Sequence, residues 1–217
     1  MTQLILVRHG ETEANVSQVW HGALDAPLTE RGRRQVSATA CRVAQLQERY
    51  PVSAFYVSPQ PRAQSTASAI AAAIGRRPTV DHDLREFDLG DWEGRSFQEL
   101  RDVEDLWGRW KVDPRFAPPN GESPHLFNLR AVGAVGTLVR AHPNETVLIV
   151  THGGVICNVL ASWLGAGPAD WRNWEPHNCA ITVLEDENDH WHGLLVNDIS
   201  HLPSESLIEE TAIWAEA

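Results

Sequence analysis

The chain lacks most of what would tie it to an oxidising compartment, a membrane or a nucleic acid. Its 217 residues include only three cysteines, Cys41, Cys157 and Cys179. They are odd in number, far apart and in no CxxC pair, which argues against a disulfide framework and a cysteine-based zinc site. No apolar run approaches the ~20 residues that a membrane-spanning helix needs. The apolar stretch at residues 4–7 is cut short by Arg8, whereas a signal peptide needs a longer run preceded by positive charge. A reducing cytoplasm is the expected location. Basic side chains are also few: 18 Lys and Arg against 29 Asp and Glu give a formal charge of −11. Nucleic acids and anionic membranes attract basic surfaces, so neither is expected as a partner. An anionic substrate would have to be caught by a local positive site. Internal repeats, low-complexity tracts and linkers are missing, and so is the GxSxG elbow of serine hydrolases.

With 42% hydrophobic side chains, the chain can bury a substantial core, and it reads as a single domain over residues 1–217. Residues 3–7 (QLILV) form a short β-rich run, and Thr29 is a fitting N-cap for the helical stretch that follows it. A second strand at residues 55–57 ends at Ser58-Pro59. The segment from Pro61 to the expected C-cap Gly75 then reads as an alanine-rich helix. Residues 80–84 are expected to be a short strand. Phe97, Leu100, Val103, Leu106, Trp107 and Trp110 recur at spacings of three and four, which predicts one amphipathic helix. Another helix at residues 126–140 precedes TVLIV at 146–150, a continuous apolar run suited to a strand covered on both faces. Strands at 180–184 and 191–196 complete the pattern. The alternation predicts an α/β fold, a three-layer α/β/α sandwich with a mainly parallel central sheet. Residues from about 95 to 145 would form a helical cap on the substrate side. The acidic tail at 202–217 reads only as a terminal helix or an ordered extension.

Three polar clusters follow directly on predicted strands: Arg8-His9-Gly10, Ser58 with Arg62, and His152-Gly153. In a parallel sheet all three meet at the carboxyl edge, where ligands collect. Two histidines and two arginines together suit a dianion such as a phosphate monoester, because Arg offers bidentate hydrogen bonds to its oxygens. Taken singly, each residue has a plainer reading: a structural histidine, or a solvated arginine on a helix.

The segment LILVRHGETEANVSQVWHGALDAPLTERGRRQ resembles the opening of the histidine phosphatase, or phosphoglycerate mutase-like, superfamily. SPQPRAQSTA, LREFDLGDWEG, PPNGES and VTHGGV resemble its later motifs, in the family's order. The resemblance implies a catalytic set of His9 as nucleophile, Arg8, Arg62 and His152 around the phosphoryl group, and Glu86 as proton donor. It implies substrate contacts from Asn15, Thr12 and the backbone at Gly153. The loop after the first motif departs from relatives that often carry Gln there: it reads Trp20-His21-Gly22. His21 and Gly22 join the candidate binding residues, although His21 is read first as pointing to solvent. Within the acid segment, spacing cannot rank Glu86, Asp88, Asp91 and Glu93; the resemblance favours Glu86, with Asp88 next.

These roles are physically reasonable. A neutral imidazole is a good nucleophile if one ring nitrogen donates to a backbone carbonyl, leaving the other lone pair for phosphorus. Charge spreading over the equatorial oxygens is stabilised by fixed donors, and a carboxylic acid protonates the departing alkoxide. The expected activity is a metal-independent phosphomonoesterase acting on small phosphorylated metabolites through a phosphohistidine, with no cofactor and no metal ligands. The alternatives are a cofactor-dependent phosphoglycerate mutase, whose relatives usually carry a longer insertion before the second histidine motif, and a phosphohistidine protein phosphatase. His82 between Asp81 and Asp83, and the His190/His192 pair, offer too few ligands for a metal site. Trp107, Trp110, Trp163, Trp171 and Trp174 read as packing or pocket-wall residues.

Overall fold

Alternation of side chains decides the layering. In the first strand, β1 (Gln3–Arg8), Leu4 and Leu6 face one way and Ile5 and Val7 the other, and all four are buried. A strand buried on both faces belongs in the middle of a sheet. The computed structural model, which describes residues 1–188 and 190–203, puts it there. After a short helix α1 (Glu13–Val16) and the longer α2 (Glu30–Leu46) come β2 (Val52–Val57), α3 (Pro61–Ile74) and β3 (Thr79–Val80). Two short helices, α4 (Phe97–Asp102) and α5 (Leu106–Val112), lead to α6 (Pro124–Arg140), β4 (Thr146–Thr151) and α7 (Gly153–Trp163). The strands β5 (Ile181–Glu187) and β6 (His190–Asp198) follow.

The sheet order is β3-β2-β4-β1-β5-β6. The pairings β1 with β4, β2 with β4 and β2 with β3 are parallel, whereas β5 is antiparallel to both β1 and β6. One face packs Leu4, Leu6, Val147 and Ile149 against Phe127, Ala131 and Val135 of α6 and Val155, Ile156 and Val159 of α7. The other packs Ile5, Val7, Leu148 and Val150 against Ala40 and Val43 of α2 and Ala63, Ala67 and Ile70 of α3. The fold is the expected α/β/α sandwich on a mainly parallel sheet.

Most local signals act as expected. The Thr29 hydroxyl caps α2 by accepting from Gly32 N–H, Pro61 opens α3, and Gly75 closes it at φ 67°. Two expectations need correction. Only Thr79–Val80 pair as a strand, because the Asp81 side chain accepts from Asp83 N–H and bends residues 82–84 into a 3₁₀ turn. The single helix from Phe97 to Trp110 is two helices, broken before Asp105, which sits at φ 49°. Val103, counted in the apolar stripe, is 72% exposed, and the break lets Leu100, Leu106 and Trp107 all reach the core. The helix α7 was hidden from periodicity because its residues 155–161 are buried almost all round. The tail beyond residue 203 lies outside the described residues.

The loop after β1 crosses α2 at very short range. A Cβ on Gly32 would overlap the carbonyl of Glu11, and one on Gly10 would stand 2.7 Å from Val36 Cγ2. Gly32→Ala should lower the urea midpoint with an unchanged m-value, a loss of about 1–3 kcal/mol, since packed backbone has nowhere to move. A midpoint equal to the wild type would show that this crossing is loose.

Candidate active site

Register brings the polar clusters together. Arg8 pairs opposite Thr151 in the parallel β1/β4 ladder, so His9 and His152 leave the sheet side by side, with ring centroids 5.1 Å apart. Val57 pairs opposite Val150, which places Ser58 next to them. The Ser58 Oγ to His152 Nε2 distance is 2.7 Å, and Ser58 Oγ also accepts from Gln60 N–H at 3.3 Å. When the hydroxyl proton is given to Nε2, the ring proton of His152 sits on Nδ1. That Nδ1 is buried and has no protein partner, and the same is true of Arg62 Nε. Both are donors left over at the head of one cleft.

His9 is 3% exposed, and its Nδ1 lies 2.8 Å from the Gly10 carbonyl. A carbonyl only accepts, so Nδ1 carries the proton and Nε2 keeps its lone pair. The backbone of His9 is pinned as well: its N–H donates to Thr151 O at 3.0 Å, and its carbonyl accepts from Cys179 N–H and Asn178 Nδ2. Arg8 Nη1 donates to Pro176 O at 2.5 Å. Arg62, on the first turn of α3, donates to the carbonyls of Leu24, His21 and Gly22 and lies 3.4 Å from Asp25 Oδ1.

The remaining candidates fall into two groups. Arg8, His9, Asn15, His21, Gly22, Arg62, Glu86 and Gly153 all line a cleft of about 680 Å³. Thr12 and His152 stand behind it, fully buried. Thr12 caps α1 and shares a capping box with Asn15, whose Oδ1 takes bonds from Thr12 and Asn178. His21 does not point to solvent: its Nε2 is 3.1 Å from Thr12 Oγ1 and its Nδ1 3.3 Å from Val19 O. The loop carrying it folds inward because a carboxylate, Glu93, accepts from Ala23 and Leu24 N–H while also holding Leu89 N–H.

Only one carboxylate of the acid segment reaches the cleft. Glu86 accepts from Gly154 N–H at 3.0 Å and Phe87 N–H at 2.9 Å. Asp88 is tied to Gly90 N–H, Asp91 to Asn120, and Glu93 to the loop just described. Among the described residues, no cluster of three or more His, Cys, Asp or Glu side chains is placed to hold a metal ion. Nor is any described helix long and apolar enough to cross a membrane.

The family model of the histidine phosphatase superfamily (branch 1) matches residues 4–199. The chain belongs to that superfamily. Among curated proteins, it is 33% identical over 216 residues to a probable phosphoglycerate mutase GpmB from Cronobacter sakazakii, covering 96% of this chain and 99% of that one. Among solved structures, it matches Bacillus stearothermophilus YhfR at 33% identity and a TM-score of 0.80, covering 94% of this chain and all of the other. A phosphoserine phosphatase from Entamoeba histolytica in complex with phosphoserine matches at 27% identity and a TM-score of 0.82, over 94% of this chain and 100% of that one. A mycobacterial glucosyl-3-phosphoglycerate phosphatase complexed with VO3 matches at 31% and 0.77, over 90% of this chain and 98% of that one.

Some residues of this histidine phosphatase site were not foreseen. Asn178 and Cys179 reach it because β5 runs antiparallel, so its start, not its end, lies at the carboxyl edge of β1. Gln60 links two parts of the site: its Oε1 accepts from Glu86 N–H, and its Nε2 donates to Gly22 O. Lys111, His125, Asn128, Arg172 and Glu175 also line the cleft, together with Trp171, which was expected as a packing or pocket-wall residue. The 3₁₀ turn at Pro168–Trp174 has no apolar periodicity that marks it in the sequence.

Burial and then the positive charges of Arg62 and Arg8 hold His9 well below the usual 6.5. Burial, then Arg62 and His9, do the same to His152. Burial and then Arg62 take His21 to about 3. All three rings are therefore neutral in the folded enzyme at neutral pH. In the unfolded chain each takes up a proton as pH falls through about 6.5. The unfolded state then binds more protons than the folded one, so the stabilisation is complete above that pH and is lost progressively below it. The urea midpoint should fall between pH 7.5 and pH 5.5, with His201 held low by burial as well, and His21→Gln should flatten that slope by about a quarter. A midpoint constant over this range would mean that the rings protonate within the folded protein.

Proposed function

We propose that the chain is a metal-independent phosphomonoesterase that hydrolyses small phosphorylated metabolites through a phosphohistidine at His9. The observation that carries this reading is the unprotonated Nε2 of a buried imidazole, set by the Gly10 carbonyl and flanked by Arg8, Arg62 and His152. In the first step the Nε2 lone pair forms a bond to phosphorus, the ester P–O bond breaks, and the leaving alkoxide takes a proton from Glu86. In the second, water attacks phosphorus, gives its proton to Glu86, and the N–P bond breaks to return the lone pair to His9.

Each neighbour has a role in this scheme. Arg62 Nε and His152 Nδ1, buried donors without protein partners, bind equatorial oxygens together with Arg8 and the Asn15 amide. His21 and the N-terminal turn of α7 at Gly153 complete the ring of contacts, with Thr12 orienting Asn15 and His21. Gly22 permits close packing, because a Cβ there would overlap the carbonyl of Phe87. Residues from about 95 to 145 supply the substrate-side wall of the single domain, and three free cysteines accord with a reducing cytoplasm. A mutase reading is favoured by the names of the curated relatives. It shares the first step and returns the phosphoryl group to substrate, so free phosphate against 2-phosphoglycerate separates the two. A phosphohistidine protein phosphatase would act on a phosphoprotein in preference to small esters.

Phosphate release over a panel of metabolite monoesters should be abolished in His9→Ala, and rapid quenching with labelled substrate should leave the label on His9. Finding label on no histidine would end the proposal. Glu86→Gln should slow poor alkyl leaving groups at least tenfold more than an activated aryl phosphate, in line with the 10²–10⁴ typical of general acids, about two to four decades. Equal slowing of both would remove Glu86 from the acid role. Incubation with EDTA followed by gel filtration should leave turnover unchanged, and a loss restored by Mg²⁺ would contradict the metal-free mechanism.

A further inference from the structure

The phosphate end of the cleft is cationic, but the surface next to the proton donor is made of aromatic carbon. Gly154 marks the junction. A Cβ on it would overlap Glu86 Oε1 and would stand 3.2 Å from Phe127 Cζ, so the carboxylate and the edge of that ring meet over one glycine. From there the rings continue without a gap: Phe127 to Phe87 at 4.7 Å between centroids, Phe87 to Trp110 at 5.1 Å, and Phe87 to Trp20 at 6.0 Å. Trp20 meets Phe97 at 5.6 Å, and Trp107 meets Trp110 at 6.3 Å. All six side chains line the cleft, joined by Trp171 from the turn before β5.

The polar groups on this wall are largely committed to one another. Asn128 Nδ2 donates to Asn158 Oδ1 and Ser162 Oγ, and Asn158 Nδ2 donates to Gly154 O. Charge beyond the phosphate end comes from Lys111, Arg172 and Glu175, of which Arg172 has its guanidinium 5.5 Å from the Trp171 ring. A short hydroxy acid phosphate would set its carboxylate and hydroxyl within a few bonds of phosphorus, against a wall that is mostly ring carbon, the indole N–H groups of Trp107 and Trp110 excepted. A larger apolar group would instead remove both itself and the rings from water. The cleft volume of about 680 Å³ falls in the range that houses ligands of drug size.

We propose that the physiological ester carries a bulky apolar body on its alcohol, seated against the aromatic wall that begins beside Glu86. This rests on the phosphatase reading for the position of the leaving oxygen. It names Trp110 and Phe87 as specificity-determining residues.

The test uses two esters with similar leaving alkoxides, ethyl phosphate and 2-(2-naphthyl)ethyl phosphate, so that leaving-group reactivity does not enter. Calorimetric titration into His9→Ala should give about a hundredfold tighter binding for the naphthyl ester, from the apolar area removed from water. Trp110→Ala in the same background should shrink that ratio about tenfold. On the wild type, kcat/KM should follow the same order. Equal binding of the two esters, or tighter binding of 3-phosphoglycerate than of the naphthyl ester, would overturn the proposal, and the unsubstituted aromatic wall makes that comparison independent of how Trp110→Ala folds. If the binding ratio holds but neither ester is turned over, the hydrolase reading fails and the apolar site stands. If both are hydrolysed in a His9-dependent way at equal kcat/KM and bind equally, the reverse is true.

Discussion

The site depends on keeping an uncharged imidazole beside the guanidinium of Arg62, which is held mainly by backbone carbonyls. Arg62 is almost wholly buried, yet most of its bonds go to the carbonyls of Leu24, His21 and Gly22, and its nearest carboxylate, Asp25, is at 3.4 Å and partly in solvent. Carbonyls fix the position of a cation without neutralising it, so the positive potential survives for a dianion. The same potential, with burial, keeps protons off His9, His152 and His21. An acidic chain thus carries an anion-attracting centre, shielded by its own fold.

Backbone geometry makes this arrangement repeatable. Parallel pairing of β4 with β1 and β2 in fixed register sets three polar clusters on one edge, and a slip of one residue would turn each to the wrong face. Glycine appears where two functional surfaces must touch: Gly154 under Glu86 and Phe127, and Gly22 against the carbonyl of Phe87. The acid segment divides its labour accordingly. Glu86 faces the cleft, while Glu93 and Asp88 hold loops in place, and Glu122 ties the segment to α6 through Arg130 and Arg85.

The layering and the phosphate end were legible in the sequence because they rest on local signals: apolar strands ending in polar clusters, the Thr29 cap, and the Pro61 to Gly75 helix. Less local features were not. Whether Phe97 to Trp110 is one helix or two depends on where Val103 can go, and spacing does not report that. The inward turn of His21 is set by Glu93 some 70 residues later, a partnership invisible to pattern. Asn178 and the aromatic course from Phe127 to Trp20 likewise depend on tertiary neighbours. Specificity is the least local property of the cleft, and it was the least readable.

The placement of β1 in the sheet bears on how this protein comes into being on the ribosome. His9 is translated ahead of both neighbours of its strand, β4 and β5, which lie beyond residue 145. The contacts that grip the His9 carbonyl come from residues 178 and 179. A growing chain therefore carries the His9 ring well before the strands and the loop that position it exist. The frame around His9 can close only after residue 179 has emerged, so a shorter chain cannot hold the ring in this way.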